Sequence, residues 1–136
     1  MTQLHFQPIK GKALGIIDAL LHTEEVALME GKMQRIIRLV IEELVANVVS
    51  YAYPDGTDGY LDVEIIRDET SITLRFRDGG VPFNPLDVAS PDIKLPMEQR
   101  KIGGLGIFLV INKMDTVDYE YTGGENVLTL KKSLDV

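Results

Sequence analysis

The sequence contains no cysteine, which excludes disulfides, thiolate zinc sites and cysteine nucleophiles. Its two histidines, His5 and His22, stand at no metal-ligand or triad spacing and read as ordinary side chains. Ser50, Ser71, Ser90 and Ser133 lack a nucleophile signature. Basic residues are scarce: 14 Lys and Arg face 21 Asp and Glu, a net charge of -7. A broad nucleic-acid surface is therefore not expected. A phosphate ligand remains compatible with this charge, because backbone N–H groups and a metal ion neutralise phosphate locally. No uncharged apolar run reaches membrane-spanning length. The opening residues MTQLHFQPIKGKALG lack the long apolar core of a signal peptide. These absences lead to the expectation of a soluble, cytoplasmic protein with no direct nucleic-acid or membrane contact. Repeats, linkers and low-complexity tracts are also missing.

What is present fits one globular domain over residues 1–136, large enough to bury a sizeable core. Hydrophobic residues make up 45% and charged residues 26%, an ordinary globular balance. The stretch 36–53, IIRLVIEELVANVVSYAY, is apolar around most of a helical circumference, so a helix there is expected to be buried on more than one side. It nevertheless carries Glu42, Glu43 and Asn47. Glu43 and Asn47 are four apart and share a helix face. Either they lie on a wet stripe, or they form the floor of a site. Pro54 is expected to stop this helix near Tyr53.

Around it, residues 3–9 alternate loosely as a first strand, with Pro8 suited to an edge. Residues 13–29 place apolar side chains at helical spacing, with a restart at Thr23 that divides them into two short helices, and Gly31 as the stop. Residues 60–67 and 71–77 alternate in and out and form an antiparallel hairpin with one wet face. Residues 85–102 have no clear period and contain Pro85, Pro91 and Pro96; a segment of this kind in a compact domain is usually functional or mobile. A helix over 107–113 follows Gly103-Gly104-Leu105-Gly106, and 115–121 with 126–132 form a closing hairpin. Helices gathered early and strands gathered in hairpins predict an α+β fold: a two-layer α/β sandwich, with a mixed, mostly antiparallel sheet covered by helices on one face.

Three further features bear on chemistry. The glycines at 103–106 open a helix, whose N-terminus offers unpaired N–H groups to an anion. They form neither a Walker A loop nor a dinucleotide fingerprint. Asp78 ends a strand before two glycines; it either caps the turn or acts as a buried acceptor for an amino group. Arg100 and Lys101 precede the glycines and are either solvated or placed to reach a phosphate.

In order, the chain reads Glu43-x-x-x-Asn47, a hairpin, Asp78-x-Gly80, a long loop, then Gly104-Leu105-Gly106. This resembles the GHKL ATPase superfamily, and within it the anti-sigma-factor serine/threonine kinases of the RsbW and SpoIIAB type. The similarity runs from about residue 36 to 134 and is closest in EELVANVVSYAYP, RDGGVPFNP, GGLGIFLVINKMD and GGENVLTLKK. The chain departs from the superfamily pattern at Pro82 and Ile102, where glycines often stand.

The resemblance implies a Bergerat, histidine kinase-like ATPase fold that binds ATP with Mg²⁺. It implies that Asn47 helps to hold Mg²⁺ and that Glu43 is a general base or polarises the attacking hydroxyl. Asp78 would accept from the adenine amino group, with Gly80 allowing close approach and Thr129 assisting. Residues 85–102 would be the ATP lid, with Arg100 and Lys101 near the phosphates, and Gly104-Leu105-Gly106 would bend the backbone around them. The implied activity is that of a regulatory protein kinase acting on a serine or threonine of a small antagonist with a STAS domain. It would also bind a sigma factor, and relatives imply a homodimer. The alternatives are a non-catalytic nucleotide-sensing module that switches partners, and an ATPase driving a conformational cycle. The latter is expected to need a transducer domain that 136 residues do not accommodate.

Overall fold

A computed structural model describes residues 1–54, 59–88 and 104–134. The elements run β1 (Thr2–Phe6), α1 (Ala13–Leu21), α2 (Glu24–Ala27), α3 (Gly31–Asn47), β2 (Leu61–Arg67), β3 (Ser71–Asp78), α4 (Gly104–Lys113), β4 (Thr116–Thr122) and β5 (Glu125–Ser133). A π-helical turn, Val48–Ala52, extends α3, and a 3₁₀ turn, Pro85–Val88, follows β3. Among the described residues, five strands form one sheet in the order β1-β2-β3-β5-β4, and every pairing is antiparallel. The sheet is thus less mixed than expected.

Period-two alternation divides the sheet into two faces. Leu61, Val63, Ile65, Ile72, Leu74, Phe76, Leu128 and Leu130 are buried on one of them. The α3 residues Ile37, Val40, Ile41, Leu44 and Val45 recur at three- and four-residue spacing and join the same core. Val48, Val49 and Ala52 continue that stripe through the π turn. Ile16 and Leu20 of α1 and Ile107 and Val110 of α4 complete it. The opposite face carries half-buried polar residues, among them Arg75, which donates to Glu64 at 3.3 Å and to Thr129 Oγ1 at 3.2 Å. Helices on one face of an antiparallel sheet are the expected two-layer α+β sandwich. Among the described residues, no helix is long and apolar enough to cross a membrane.

Several boundaries differ from those expected. The central α-helix starts at Gly31 rather than residue 36, because Lys32, Met33, Gln34 and Arg35 are all good helix formers. Gly31 opens this helix instead of stopping the previous one. Beyond Asn47 the helical path widens into the π turn. Helix α4 begins at Gly104 rather than residue 107, so Gly106 lies within its first turn.

Candidate functional site

A cleft opens where the C-terminal end of α3 and its π turn face the end of the sheet. Asn47, Tyr51 and Ala52 line one side, and Phe76, Asp78, Asn126 and Leu128 the other. Val81, Pro82, Phe83 and Pro85 form the rim. The strands set this arrangement by register: Asp78 pairs with Leu61 on β2 and with Asn126 on β5. Asp78 shares the parity of Ile72, Leu74 and Phe76, so its side chain faces the helix layer. Only 7% of it is exposed.

Of the two readings open for Asp78, the turn cap is the one the hydrogen bonds display. Asp78 Oδ1 accepts from Gly80 N at 2.9 Å, which makes it the cap of its own turn. The same oxygen accepts from Asn126 Nδ2 at 3.0 Å. Among the described residues, Oδ2 receives no hydrogen bond, and the residue lines the cleft. Burial pushes the Asp78 carboxyl above the usual carboxylate range; the Asn126 and Gly80 hydrogen bonds pull it back, and the nearby Glu125 charge adds to the rise.

The loop after β3 is seated on the π turn. Val81 N donates to Ala52 O at 2.9 Å. A β-carbon on Gly80 would lie 2.6 Å from Ala52 Cβ and against the Ala52 carbonyl, so only glycine permits this approach. Behind the loop, the Tyr53 hydroxyl accepts from Gly79 N at 2.8 Å and Tyr60 N at 3.1 Å, and donates to Tyr60 O at 2.8 Å. A π turn frequently occurs at functional sites, where its changed pitch re-aims backbone groups.

Glu43 and Asn47 lie one turn apart on α3, both half-buried. Asn47 faces the cleft, and among the described residues neither side chain has a hydrogen-bond or ion-pair partner. Glu43 packs against α4: a β-carbon on Gly106 would land on its carboxylate, 2.7 Å from Cδ and nearer still to Oε2. Asn47 thus borders the cleft and Glu43 abuts the start of α4. An amide oxygen with a carboxylate nearby suits Mg²⁺, a hard ion that takes oxygen donors and usually keeps most of its shell for water and phosphate.

Gly104, Leu105 and Gly106 occupy the first turn of α4, where backbone N–H groups lack intrahelical acceptors. Arg100 and Lys101 lie outside the described residues, as does most of the expected lid. No residue lining the described cleft is basic, so charge balance for a polyphosphate must come from elsewhere. Thr129 requires a correction. It stands on the outer sheet face, accepting from Arg75 Nε at 3.2 Å, while Leu128 and Leu130 face the core. Period two puts Asn126, not Thr129, on the cleft side. Asn126 is the site residue that sequence reasoning missed, although the alternation of β5 could have identified it.

A family profile described as "Histidine kinase-like ATPase domain" matches residues 11–132. The serine-protein kinase RsbW of Listeria monocytogenes serovar 1/2a is 29% identical over 99 residues, covering 70% of this chain and 63% of that kinase. This chain thus spans less than two thirds of that relative. The serine/threonine-protein kinase BtrW of Bordetella bronchiseptica is 26% identical over 83% of this chain and 82% of its own length. The anti-sigma F factor of Bacillus thuringiensis is 27% identical over 60% of this chain and 56% of its own. Among solved structures, the Acinetobacter baumannii histidine kinase AdeS superposes with a TM-score of 0.53 at 14% identity, over 100% of this chain and 69% of that one, a likeness of fold alone. With most of its length matched, the chain belongs to the histidine kinase-like ATPase domain family.

Proposed function

We propose that the cleft binds ATP with Mg²⁺ and that the chain is a serine/threonine protein kinase of the anti-sigma-factor type. The observation that carries this reading is the convergence of Asp78 and Asn47 on one cleft, with Glu43 one turn away against Gly106. The relatives named as serine kinases and as an anti-sigma factor support it. The substrate would be a serine or threonine on a small STAS-domain antagonist, and the second partner a sigma factor, in the cytoplasm. A homodimer belongs to the same proposal.

Asp78 Oδ2 accepts from the adenine amino group, and Gly80 keeps the rim close to the base. Asn47 would contribute an oxygen to Mg²⁺, which would neutralise developing phosphate charge. The N–H groups at the start of α4 would meet the phosphates, with Arg100 and Lys101, which precede that start in sequence, as candidate cations. In the transfer, the hydroxyl oxygen bonds to the γ-phosphorus while the bond to the β–γ bridging oxygen breaks, leaving its electrons on ADP. Glu43 takes up or orients the hydroxyl proton.

Incubation with labelled ATP and a STAS-domain antagonist tests this. Label should appear on a serine or threonine of the antagonist and disappear with Glu43→Ala. Tight ATP binding without transfer to any such antagonist would contradict the kinase and favour a nucleotide-sensing switch.

A further inference from the structure

Asn126 is 5% exposed, and every hydrogen-bonding position of its carboxamide is used. Nδ2 donates to Asp78 Oδ1 at 3.0 Å and to Val81 O at 2.9 Å. Oδ1 accepts from Phe83 N at 3.0 Å and from the Tyr119 hydroxyl. A backbone N–H only donates, so Phe83 fixes which end of the amide is oxygen. The side chain thereby joins β5, β4, the end of β3 and the 81–83 rim in one knot. Gly80 N is the second donor to Asp78 Oδ1, at 2.9 Å. With Oδ1 engaged twice by the protein, the carboxylate cannot turn without breaking two hydrogen bonds, and Oδ2 is the oxygen left for a ligand.

We propose that Asn126 is a positioning residue for base selection, holding Asp78 in the orientation that accepts an exocyclic amino group and fixing the rim to that carboxylate. The inference rests on the nucleotide reading above and gives it a determinant that neither the motifs nor the comparisons assign. An ionised carboxylate only accepts hydrogen bonds. It pairs with the amino group of adenine and repels the keto oxygen that guanine carries at the same place. A protonated Asp78 could donate to that oxygen, and discrimination would weaken. Burial favours the protonated form, and Glu125 on β5 favours it further. Among the described residues, the other titratable groups near Asp78 are Tyr119 on β4 and Tyr53 after the π turn, both raised above the ordinary tyrosine value by burial. Leu61, opposite on β2, supplies no charge. The Asn126 and Gly80 donors oppose the rise at Asp78, and only the first is a side chain.

The test uses the full chain as wild type and as Asn126→Leu, a neutral change of similar size. Asn126→Ser, which lets water reach Val81 O and Phe83 N, serves if the leucine variant does not fold. Asp78 is titrated by its side-chain ¹³C carboxyl signal without nucleotide, and ATP and GTP affinities are measured across the same pH range. A hydrogen bond to a charged group is of the order of one pKa unit. Both variants should therefore raise the Asp78 midpoint by about one unit and narrow the preference for ATP over GTP about tenfold below the new midpoint. A purely structural role would lower the melting temperature and leave midpoint and preference unmoved, which would overturn the proposal. Wild-type protein that binds neither nucleotide would refute the nucleotide reading itself. An unmoved midpoint with intact ATP binding would refute only the role of Asn126.

Discussion

Under the proposed kinase reading, replacing Gly106 with alanine should separate catalysis from folding at one atom. Gly106 lies in the first turn of α4 and has no positive φ, so alanine suits its backbone. Helix propensity alone favours alanine over glycine by about 0.5–1 kcal/mol. The added β-carbon, however, would occupy the place of the Glu43 carboxylate, 2.7 Å from Cδ. The obstacle is the end of a long side chain rather than backbone, so the carboxylate swings away and the helix stays. Misplacing a reacting group by about 1 Å costs roughly a hundredfold in rate, and a positioned general base contributes about 10²–10⁴-fold. Gly106→Ala is therefore expected to melt at or above the wild-type temperature and to lose about a hundredfold in kcat for antagonist phosphorylation. Steady-state assays with thermal melts check both quantities. In a Glu43→Gln background, the same change should have little further effect, because two changes acting through one group are not additive. Wild-type kcat in the single variant, or a full hundredfold further loss when Gly106→Ala is added to Glu43→Gln, would refute the reasoning.

Gly80→Ala should behave in the opposite way, because its β-carbon would meet the Ala52 backbone. A destabilisation of about 1–3 kcal/mol in denaturant melts is expected for such overpacking, together with loss of the ATP-induced rise in melting temperature. Asp78→Asn keeps an oxygen for Gly80 N and Asn126 but turns a donor toward the cleft. Because the native carboxyl is raised, its ionisation opposes folding at neutral pH. The variant should fold at least as well at pH 7 while ATP affinity in calorimetry falls about 10–100-fold, the weight of a hydrogen bond to a charged group. Tyr60, which donates to Glu125, is held well above the ordinary tyrosine value by burial and by that carboxylate. A raised folded pKa contributes stability below the unfolded value near 10 that is lost as pH climbs beyond it. Melts between pH 9 and 11 should show stability falling with pH, and Tyr60→Phe should flatten the slope.

Legibility in the sequence followed the length of the pattern. The strands at 61–67 and 71–78 were readable because alternation runs through both, and that alternation also aimed Asp78 inward. Glu43 and Asn47 were readable as a pair from their four-residue spacing. The π turn carries no sequence signal beyond Pro54; its partner at Ala52 is Val81, far away in sequence. The start of α4 at Gly104 was hidden because glycine has low intrinsic helix propensity, and tertiary packing overrides it there. On β5, the resemblance drew attention to Thr129, while the period of two already separated it from Asn126. Local periodicity was the better guide to the face of the strand.

Adenine-nucleotide binding at the Asp78 cleft is read from the melting temperature with ATP and Mg²⁺ beside GTP and Mg²⁺. A ligand at a hundredfold excess over its Kd stabilises the folded state by about 2.7 kcal/mol, a rise of several degrees for a chain of this size. That rise is expected with ATP, little with GTP, and none with ATP in Asp78→Asn. Equal shifts with both nucleotides, or none with millimolar ATP, would contradict adenine-nucleotide binding at this cleft.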